Sequence, residues 1–262
     1  MKNLTYLAIV MLIAACQPGK KAEENQTEEV AYQAPEHHSE SLTKVLDAHG
    51  GYELWSKMKS LSYTKGDEYT ITNLQNRKIR LETPEQTIGF DGKEVWVTPD
   101  TVDASRARFY HNLYFYFYAM PFVVGDPGAF HEDVEPRELK GKTYNGIKIS
   151  YGENIGDAPD DSYILWLDPA TNKMEWLMYT VTYRSGEPND TYKLIKYDQW
   201  TVVNGLTLPT AIQWYQFEND VVGEMRNEVK FENIELSVEP PSDSLFVMPE
   251  NAQIAPLNVG KG

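Results

Sequence analysis

The chain has 262 residues, a formal net charge of −15 at pH 7, 12% aromatic side chains and a single cysteine. Such an acidic chain repels phosphate backbones, which argues against nucleic acid as a partner. One cysteine excludes a disulfide within the chain, and the length suffices for one domain with a substantial core.

The first residues have the anatomy of an export signal. Lys2 precedes an apolar run over residues 4–15, and two alanines stand directly before Cys16. A charged start, a short apolar run and small residues before a break are typical of a secretory signal. The run is shorter than the roughly 20 apolar residues that a membrane-spanning helix needs. We therefore predict that residues 1–15 are a signal peptide that is removed.

The four residues "IAAC" that end at Cys16 resemble the lipobox of bacterial lipoproteins. The resemblance implies diacylglycerol on the Cys16 sulfur, cleavage before Cys16 and acylation of the new amino group. The membrane partner would then be the outer membrane, on its periplasmic side or at the cell surface. Several acyl chains on one residue make a stable anchor, where a single chain holds only marginally. An ordinary signal peptide that contains a cysteine is the alternative.

Residues 16–40 form a polar segment with few large apolar side chains. Such a composition cannot bury enough surface to offset the entropy lost on ordering. We predict a flexible tether here, then a single domain over residues 41–250 and a C-terminal tail over residues 251–262.

The domain is expected to begin with two helices. Ser41 is a candidate N-cap, and Gly50 and Gly51 are typical of a helix end. Between them, the positions i, i+3, i+4 and i+7 of one helical face hold Leu42, Val45, Leu46 and His49. A second short helix is predicted over residues 52–59.

From Leu61 the apolar period changes to two, which predicts strands. Three residue pairs predict two-residue type I′ hairpin turns, namely Asp91-Gly92, Asn145-Gly146 and Asn204-Gly205. The segments "DPATNK", "SGEPND" and "ENDVVGE" predict looser turns. The expected class is mainly β (α+β), a curved antiparallel sheet or open half-barrel of roughly ten strands that covers a few helices.

An aromatic stretch over residues 105–125 interrupts the strand pattern. Helical spacing places Phe109, Leu113, Tyr116, Phe117 and Met120 on one side and Tyr110, Tyr114 and Tyr118 on the other. A helix with aromatic side chains around most of its circumference must be covered widely. We predict one helix that lies across the open face of the curved sheet and ends at Pro121.

Three segments together resemble the LolA/LolB-like superfamily of lipoprotein carriers and receptors. They are the early "HGGYELW" helix, "LWLDPATNKMEWL" and "YDQWTVVNGLTLPTAIQWY". The "HGG…W" start is most similar to uncharacterised lipoproteins of Bacteroidetes. The resemblance covers roughly residues 42–236 and implies a curved sheet closed by helices around an apolar cavity, which shelters acyl chains in lipoprotein carriers. Because this chain has its own lipobox, it departs from the soluble carrier, and receptor-like or sensor-like roles stay open.

Two predicted strands are apolar on both faces, which is unusual for a sheet with one wet face. In "MEWLMYTVTY" Trp176 and Met178 alternate with Leu177 and Tyr179. In "TAIQWYQF" Ile212 and Trp214 lie on one face, and Tyr215 and Phe217 lie on the other. A filled core and a ligand cavity both explain this pattern. For a cavity, the predicted ligand-binding residues are Arg106, Phe109, Leu113, Phe117, Trp176, Met178, Ile212 and Trp214.

The sequence shows no motif for a metal or for catalysis. The five histidines lack metal-ligand spacing, and neither a G-x-S-x-G elbow nor a Gly-rich phosphate loop occurs. We therefore predict no metal and no cofactor, and a non-enzymatic lipoprotein that binds an apolar ligand, either a lipid or a lipoprotein acyl chain. The alternatives are a carboxylate-dependent hydrolase in the same concavity, and a scaffold or assembly protein with a filled core.

Overall fold

The structure is a computed structural model that describes residues 38–151, 161–182 and 191–256. The helices in these ranges are α1 Glu40–Ala48, α2 Tyr52–Lys57, α3 Ala107–Tyr110, α4 Leu113–Tyr118 and α5 Met120–Val123, with a 3-10 turn at Asp243–Leu245. The strands are β1 Ser60–Lys65, β2 Glu68–Asn73, β3 Ile79–Glu82, β4 Thr87–Phe90, β5 Val95–Thr98, β6 Ala129–Leu139, β7 Lys142–Tyr151, β8 Tyr163–Leu167, β9 Met174–Tyr179, β10 Lys193–Val203, β11 Leu206–Glu218, β12 Val221–Lys230, β13 Glu232–Ser237 and β14 Gln253–Ile254. Within these ranges, no helix is both long and apolar enough to cross a membrane.

The strands form two antiparallel sheets of seven strands each. Sheet A has the order β13-β1-β2-β3-β4-β5-β14, and sheet B has the order β12-β11-β10-β9-β8-β7-β6. The chain passes from the edge of sheet B to the edge of sheet A through one residue, Phe231, between β12 and β13. Neither sheet closes on itself in the described residues, so the result is an open half-barrel. The predicted class is confirmed, although the described part of the chain contains fourteen strands.

The strand number exceeds the prediction because several strands of sheet A are short. The strands β3, β4 and β5 have four residues each, and β14 has two. Such lengths give too few alternations for a periodic signal. The strand β14 pairs with β5 and lies in the segment predicted as a C-terminal tail.

The helix α1 packs its predicted face into the core between the two sheets. Leu42, Val45 and Leu46 are at most 1% exposed. The N-cap is Ser39 rather than Ser41, because the Ser39 hydroxyl accepts the backbone N–H of Leu42 at 3.2 Å. The Ser41 hydroxyl instead donates to a carboxylate of β6 at 2.8 Å.

The aromatic stretch forms three short helices, α3, α4 and α5, so the prediction of one continuous helix was wrong. The backbone leaves helical geometry at Ala119 (φ −89°, ψ 11°) between α4 and α5. Pro121 lies in the first turn of α5, where its missing N–H is harmless, and does not end a helix. Within α4, Phe115, Phe117 and Tyr118 are all buried.

The three predicted type I′ turns have different outcomes. Asn204 and Gly205 connect β10 to β11 with φ values of 50° and 84°, which confirms this turn. Asp91 and Gly92 do lie between β4 and β5, but the loop has four residues, and only Gly92 has a positive φ (99°). The segment "SGEPND" lies outside the described residues.

The predicted turn at Asn145-Gly146 was wrong, since both residues lie inside β7. The turn that joins β6 to β7 is Lys140-Gly141, with φ values of 49° and 79°. Gly146 is instead required by packing, because Trp166 of β8 lies directly opposite it. A Cβ atom on Gly146 would lie 2.5 Å from the side chains of Trp166 and Val134.

We expect Gly146→Ala to destabilise the protein by about 1–3 kcal/mol, because the added methyl group overpacks the contact with Trp166. Urea unfolding at pH 7 measures the effect. The control is Asn145→Ala in the same strand, which is exposed and should change the free energy of unfolding by less than about 0.5 kcal/mol. Equal small effects of both changes would contradict the packing account.

The His49 side chain is fully buried at the end of α1. Its Nδ1–H donates to the Val45 carbonyl at 2.8 Å, and its ring centroid lies 4.9 Å from that of Trp200. Burial disfavours the charged imidazolium and lowers the pKa of His49 to about 4. The folded state therefore favours the neutral form of this side chain.

The lowered pKa predicts a loss of stability on acidification. Because the folded pKa lies below the ordinary value, stability from neutral His49 is present above pH 6.5 and is lost as the pH falls towards 4. The loss should reach about 3 kcal/mol relative to His49→Gln, which does not titrate. Chemical denaturation at pH 7 and pH 4 tests this, and a pH-independent difference between the two proteins would refute it.

Candidate functional site

Sheet B has apolar clusters on both of its faces. On its inner face, Leu177, Ile195 and Ile212 belong to the main core with the helices. On its outer face, a second cluster contains Leu139, Tyr144, Trp166, Trp176, Met178 and Leu194. Cross-strand pairing explains this division, because directly paired residues share a face. Leu194 pairs with Met178, whereas the next residue, Ile195, pairs with Leu177 and Trp214.

A row of aromatic side chains lies along the inner face of sheet B beside α4, and we call it the aromatic seam. It consists of Tyr114 and Phe117 of α4, Tyr151 of β7, Tyr163 of β8, Tyr179 of β9 and Trp214 of β11. Ring centroids are 6.0 Å apart for Tyr151 and Tyr163 and 4.9 Å apart for Phe117 and Tyr179, and Tyr163 and Tyr179 are cross-strand partners. The Trp214 Nε1–H donates to the Tyr179 hydroxyl at 3.0 Å.

The seam is only partly covered by the protein. Tyr114, Tyr151, Tyr163 and Trp214 are half-buried, whereas Phe117 is 6% exposed. Burial raises the pKa of Tyr179 to about 12, so its hydroxyl stays protonated and polar without charge. The seam thus combines apolar rings with neutral hydroxyls, a surface suited to an apolar ligand that carries a few polar groups.

One end of the seam meets a buried ion pair between Arg77 and Asp126, whose side chains are 9% and 10% exposed. Arg77 follows β2, and its guanidinium also lies 5.4 Å from the Phe115 ring centroid. Burial raises the pKa of Asp126, and the adjacent Arg77 partly offsets this rise. Asp126 precedes Ala129, the cross-strand partner of Tyr151, so the ion pair lies near the first ring of the seam. Burial, and then the Asp126 carboxylate, raise the pKa of Tyr151.

The opposite end of the seam meets a second ion pair, Lys65–Glu68, at the β1–β2 hairpin. The two residues are direct cross-strand partners, and Lys65 Nζ lies 3.2 Å from a Glu68 carboxylate oxygen. The Tyr110 hydroxyl accepts from Lys65 Nζ at 2.9 Å and donates to Glu68 Oε2 at 2.8 Å. Lys65 Nζ also lies 4.3 Å from the ring centroid of Tyr114, which is next to Trp214.

The structure brings together only some of the predicted ligand-binding residues. Leu113, Phe117, Ile212 and Trp214 all belong to or pack against the main core, and Phe117 and Trp214 are in ring contact at 6.0 Å. Trp176 and Met178 lie in the outer cluster, on the other face of sheet B, so the structure separates them from these four residues. Arg106 is exposed and Phe109 is half-buried. Their roles in binding stay predictions.

The sequence analysis missed both ion pairs. The Lys65–Glu68 pair had a usable signal, since "KGDE" places two opposite charges on either side of a two-residue turn. The Arg77–Asp126 pair had none, because the residues are far apart in sequence. Among residues 38–151, 161–182 and 191–256, no group of three or more His, Cys, Asp or Glu side chains is placed to hold a metal ion. Cys16 lies outside the described residues, and its acylation stays a prediction.

The model of a protein family described as "Family of unknown function (DUF6503)" matches residues 51–229. The chain belongs to this family. The DUF6503 match runs from α2 through most of β12 and therefore includes the whole aromatic seam and both ion pairs. No functionally curated protein matches the chain significantly.

Solved structures with a similar chain path include a LolA superfamily protein from Nitrosomonas europaea. It has 12% sequence identity and a TM-score of 0.48, over 78% of this chain and 96% of that chain. A DUF1329 family protein from Desulfovibrio piger has 9% identity and a TM-score of 0.44, over 79% of this chain and 95% of that chain. The expected likeness to Bacteroidetes lipoproteins stays a prediction.

We expect Arg77→Met to lower the free energy of unfolding by about 3 kcal/mol at pH 7, because it leaves the Asp126 carboxylate buried without its cation. The penalty should shrink towards pH 4–5. Without the guanidinium, burial raises the pKa of the Asp126 carboxyl further, opposed only by Tyr52 and His38, so protonation then favours the folded state. Denaturation at both pH values tests this. The exposed Arg106→Met is the matched control and should be nearly neutral, and a penalty for Arg77→Met that is independent of pH would contradict the account.

Proposed function

We propose that this protein is a non-enzymatic envelope lipoprotein that binds the acyl chain of a lipid, or of a lipidated protein, along the aromatic seam. The observation that carries the proposal is the seam itself. Four of its six rings are half-buried and pack against the core, and ring contacts or strand pairing join each ring to the next between α4 and sheet B. An extended apolar chain is the ligand shape that such a row would cover best.

The composition of the seam also supports an apolar ligand. Aromatic side chains provide large contact areas at a low cost in conformational entropy, and their ring hydroxyls tolerate a polar group at the ligand's end. The charged side chains lie at the two ends of the seam, in the Arg77–Asp126 and Lys65–Glu68 pairs. The middle of the seam is therefore suited to hydrocarbon.

Binding is favoured over hydrolysis by the state of the nearby carboxylates. Asp126 is held by Arg77, and Glu68 accepts from Tyr110 and lies beside Lys65. General acid–base catalysis needs a carboxyl group within hydrogen-bond reach of the substrate. Here these two groups are occupied by structural partners.

The proposed anchor is the acylated Cys16 in the outer membrane. The described domain begins at His38, so 21 residues separate it from Cys16. If extended, such a segment could span about 70 Å, at roughly 3.3 Å per residue. The domain could thus reach a ligand near the membrane while the acylated Cys16 stays in the membrane.

The test uses the chain from residue 17 onward, which includes every described helix and strand, after removal of bound lipid. A monoacylglycerol with a doxyl group on its chain is titrated while tryptophan fluorescence is recorded. We expect saturable quenching that Trp214→Phe reduces by about half or more, because Trp214 is half-buried within the seam. Unlabelled monoacylglycerol should reverse the quenching.

The matched control is Trp176→Phe, which removes a tryptophan that is 1% exposed on the outer face of the same sheet. This variant should keep the saturable quenching. Equal loss in both variants would place the ligand elsewhere. If the folded wild-type protein shows no saturable quenching, the proposal is wrong, and a filled core with a role in assembly becomes the better interpretation.

A further inference from the structure

The aromatic seam runs across the strands of sheet B rather than along any one of them. Tyr151, Tyr163, Tyr179 and Trp214 belong to β7, β8, β9 and β11, one ring to each strand. Tyr163 and Tyr179 are direct cross-strand partners, which places both side chains on the same face of the sheet. The length of the seam is therefore set by the spacing of the strands, which backbone hydrogen bonds hold constant.

At β10 the ring that completes the row comes from α4. Tyr197 of β10 is fully buried, and its hydroxyl donates to the Phe117 carbonyl at 2.8 Å. The Phe117 ring then lies between its two neighbours in the seam, with centroids 4.9 Å from Tyr179 and 6.0 Å from Trp214. Aromatic surface thus continues from β9 to β11 across β10.

Charged side chains lie near both ends of the seam. The Arg77–Asp126 ion pair lies near Tyr151 at one end. At the other end, Lys65 Nζ lies 4.3 Å from the ring centroid of Tyr114. Burial of hydrocarbon is favourable in proportion to the apolar area that leaves water. Carbons that extend past the last ring at either end would therefore add little to the affinity.

The spacing of the strands gives the length of hydrocarbon that the seam can cover. Neighbouring strands lie about 4.8 Å apart, so the four spacings from β7 to β11 amount to about 19 Å. An extended hydrocarbon chain with C–C bonds of about 1.5 Å advances roughly 1.3 Å per methylene group. The seam therefore matches an extended chain of about 16 carbons.

We propose that the seam binds long acyl chains in preference to shorter ones, with a length limit of about 16 carbons. This inference rests on the proposed acyl-chain binding and adds the class of acyl group. A shorter chain leaves rings of the seam uncovered, so each missing methylene removes a contact. A longer chain covers the same rings, and its additional carbons project past one end.

The affinity of saturated monoacylglycerols with chains of 8 to 20 carbons tests the inference. Each lipid competes with the doxyl-labelled monoacylglycerol for the wild-type chain from residue 17 onward, below the concentration at which that lipid aggregates. We expect the affinity to rise about two- to fourfold with each added methylene up to about 16 carbons. Beyond that length, each methylene should change the affinity by less than about 1.3-fold.

Tyr151→Ala should shorten the seam at one end by about one strand spacing, which equals about four carbons. The break in the affinity series should then move to about 12 carbons. The matched control is Tyr215→Ala, which removes a half-buried ring from the outer face of the same sheet. This variant should keep the break at about 16 carbons. Circular dichroism checks that both variants are folded.

If the affinity of the wild-type protein keeps rising to 20 carbons, or if folded Tyr151→Ala leaves the break unchanged, the length limit is refuted while acyl-chain binding stands. A break that moves equally in Tyr215→Ala would also refute it, since the outer face would then contribute to the measured length. If the folded wild-type protein binds no lipid of the series, the proposed function itself fails.

Discussion

The contact of Tyr63, Tyr118 and Phe231 holds the half-barrel together. Tyr63 belongs to sheet A, Tyr118 to α4, and Phe231 is the single residue between the last strand of sheet B and the first edge strand of sheet A. The Phe231 ring lies 5.2 Å from that of Tyr63 and 4.6 Å from that of Tyr118. All three are at most 2% exposed, so the junction of the two sheets is buried beneath the helix.

The same contact fixes where the candidate site lies. The Tyr197 hydroxyl of sheet B donates to the Phe117 carbonyl of α4 at 2.8 Å, so α4 is bound to both sheets. With α4 fixed, Phe117 and Tyr114 are placed beside Trp214, and the seam is formed. The same helix also stacks Tyr118 on Tyr63 of sheet A, with ring centroids 4.7 Å apart.

The predicted alternation of Trp176 and Met178 with Leu177 and Tyr179 is confirmed, but the relation between strands was not predicted. Ile212 and Trp214 do lie on the face opposite Tyr215, as the period of two indicated. The prediction nevertheless grouped Trp214 with Trp176, which lies on the outer face. Which rows of neighbouring strands share a face depends on pairing register, and the register of sheet B shifts at bulges in β8–β9 and in β10–β11. A register shift of one residue moves a side chain to the opposite face of the sheet, and the sequence of a single strand does not show such a shift.

The sequence alone determined the mainly β class, the buried face of α1 and the turn at Asn204-Gly205, since each depends on residues close together in the chain. The tertiary structure decided the two-sheet arrangement, the break of the aromatic stretch into three helices and the use of Gly146 as a packing site for Trp166. It also decided the Arg77–Asp126 ion pair, whose members are far apart in sequence. The physical reason is the same in each case, because the free energy comes from burial against residues that are distant in sequence.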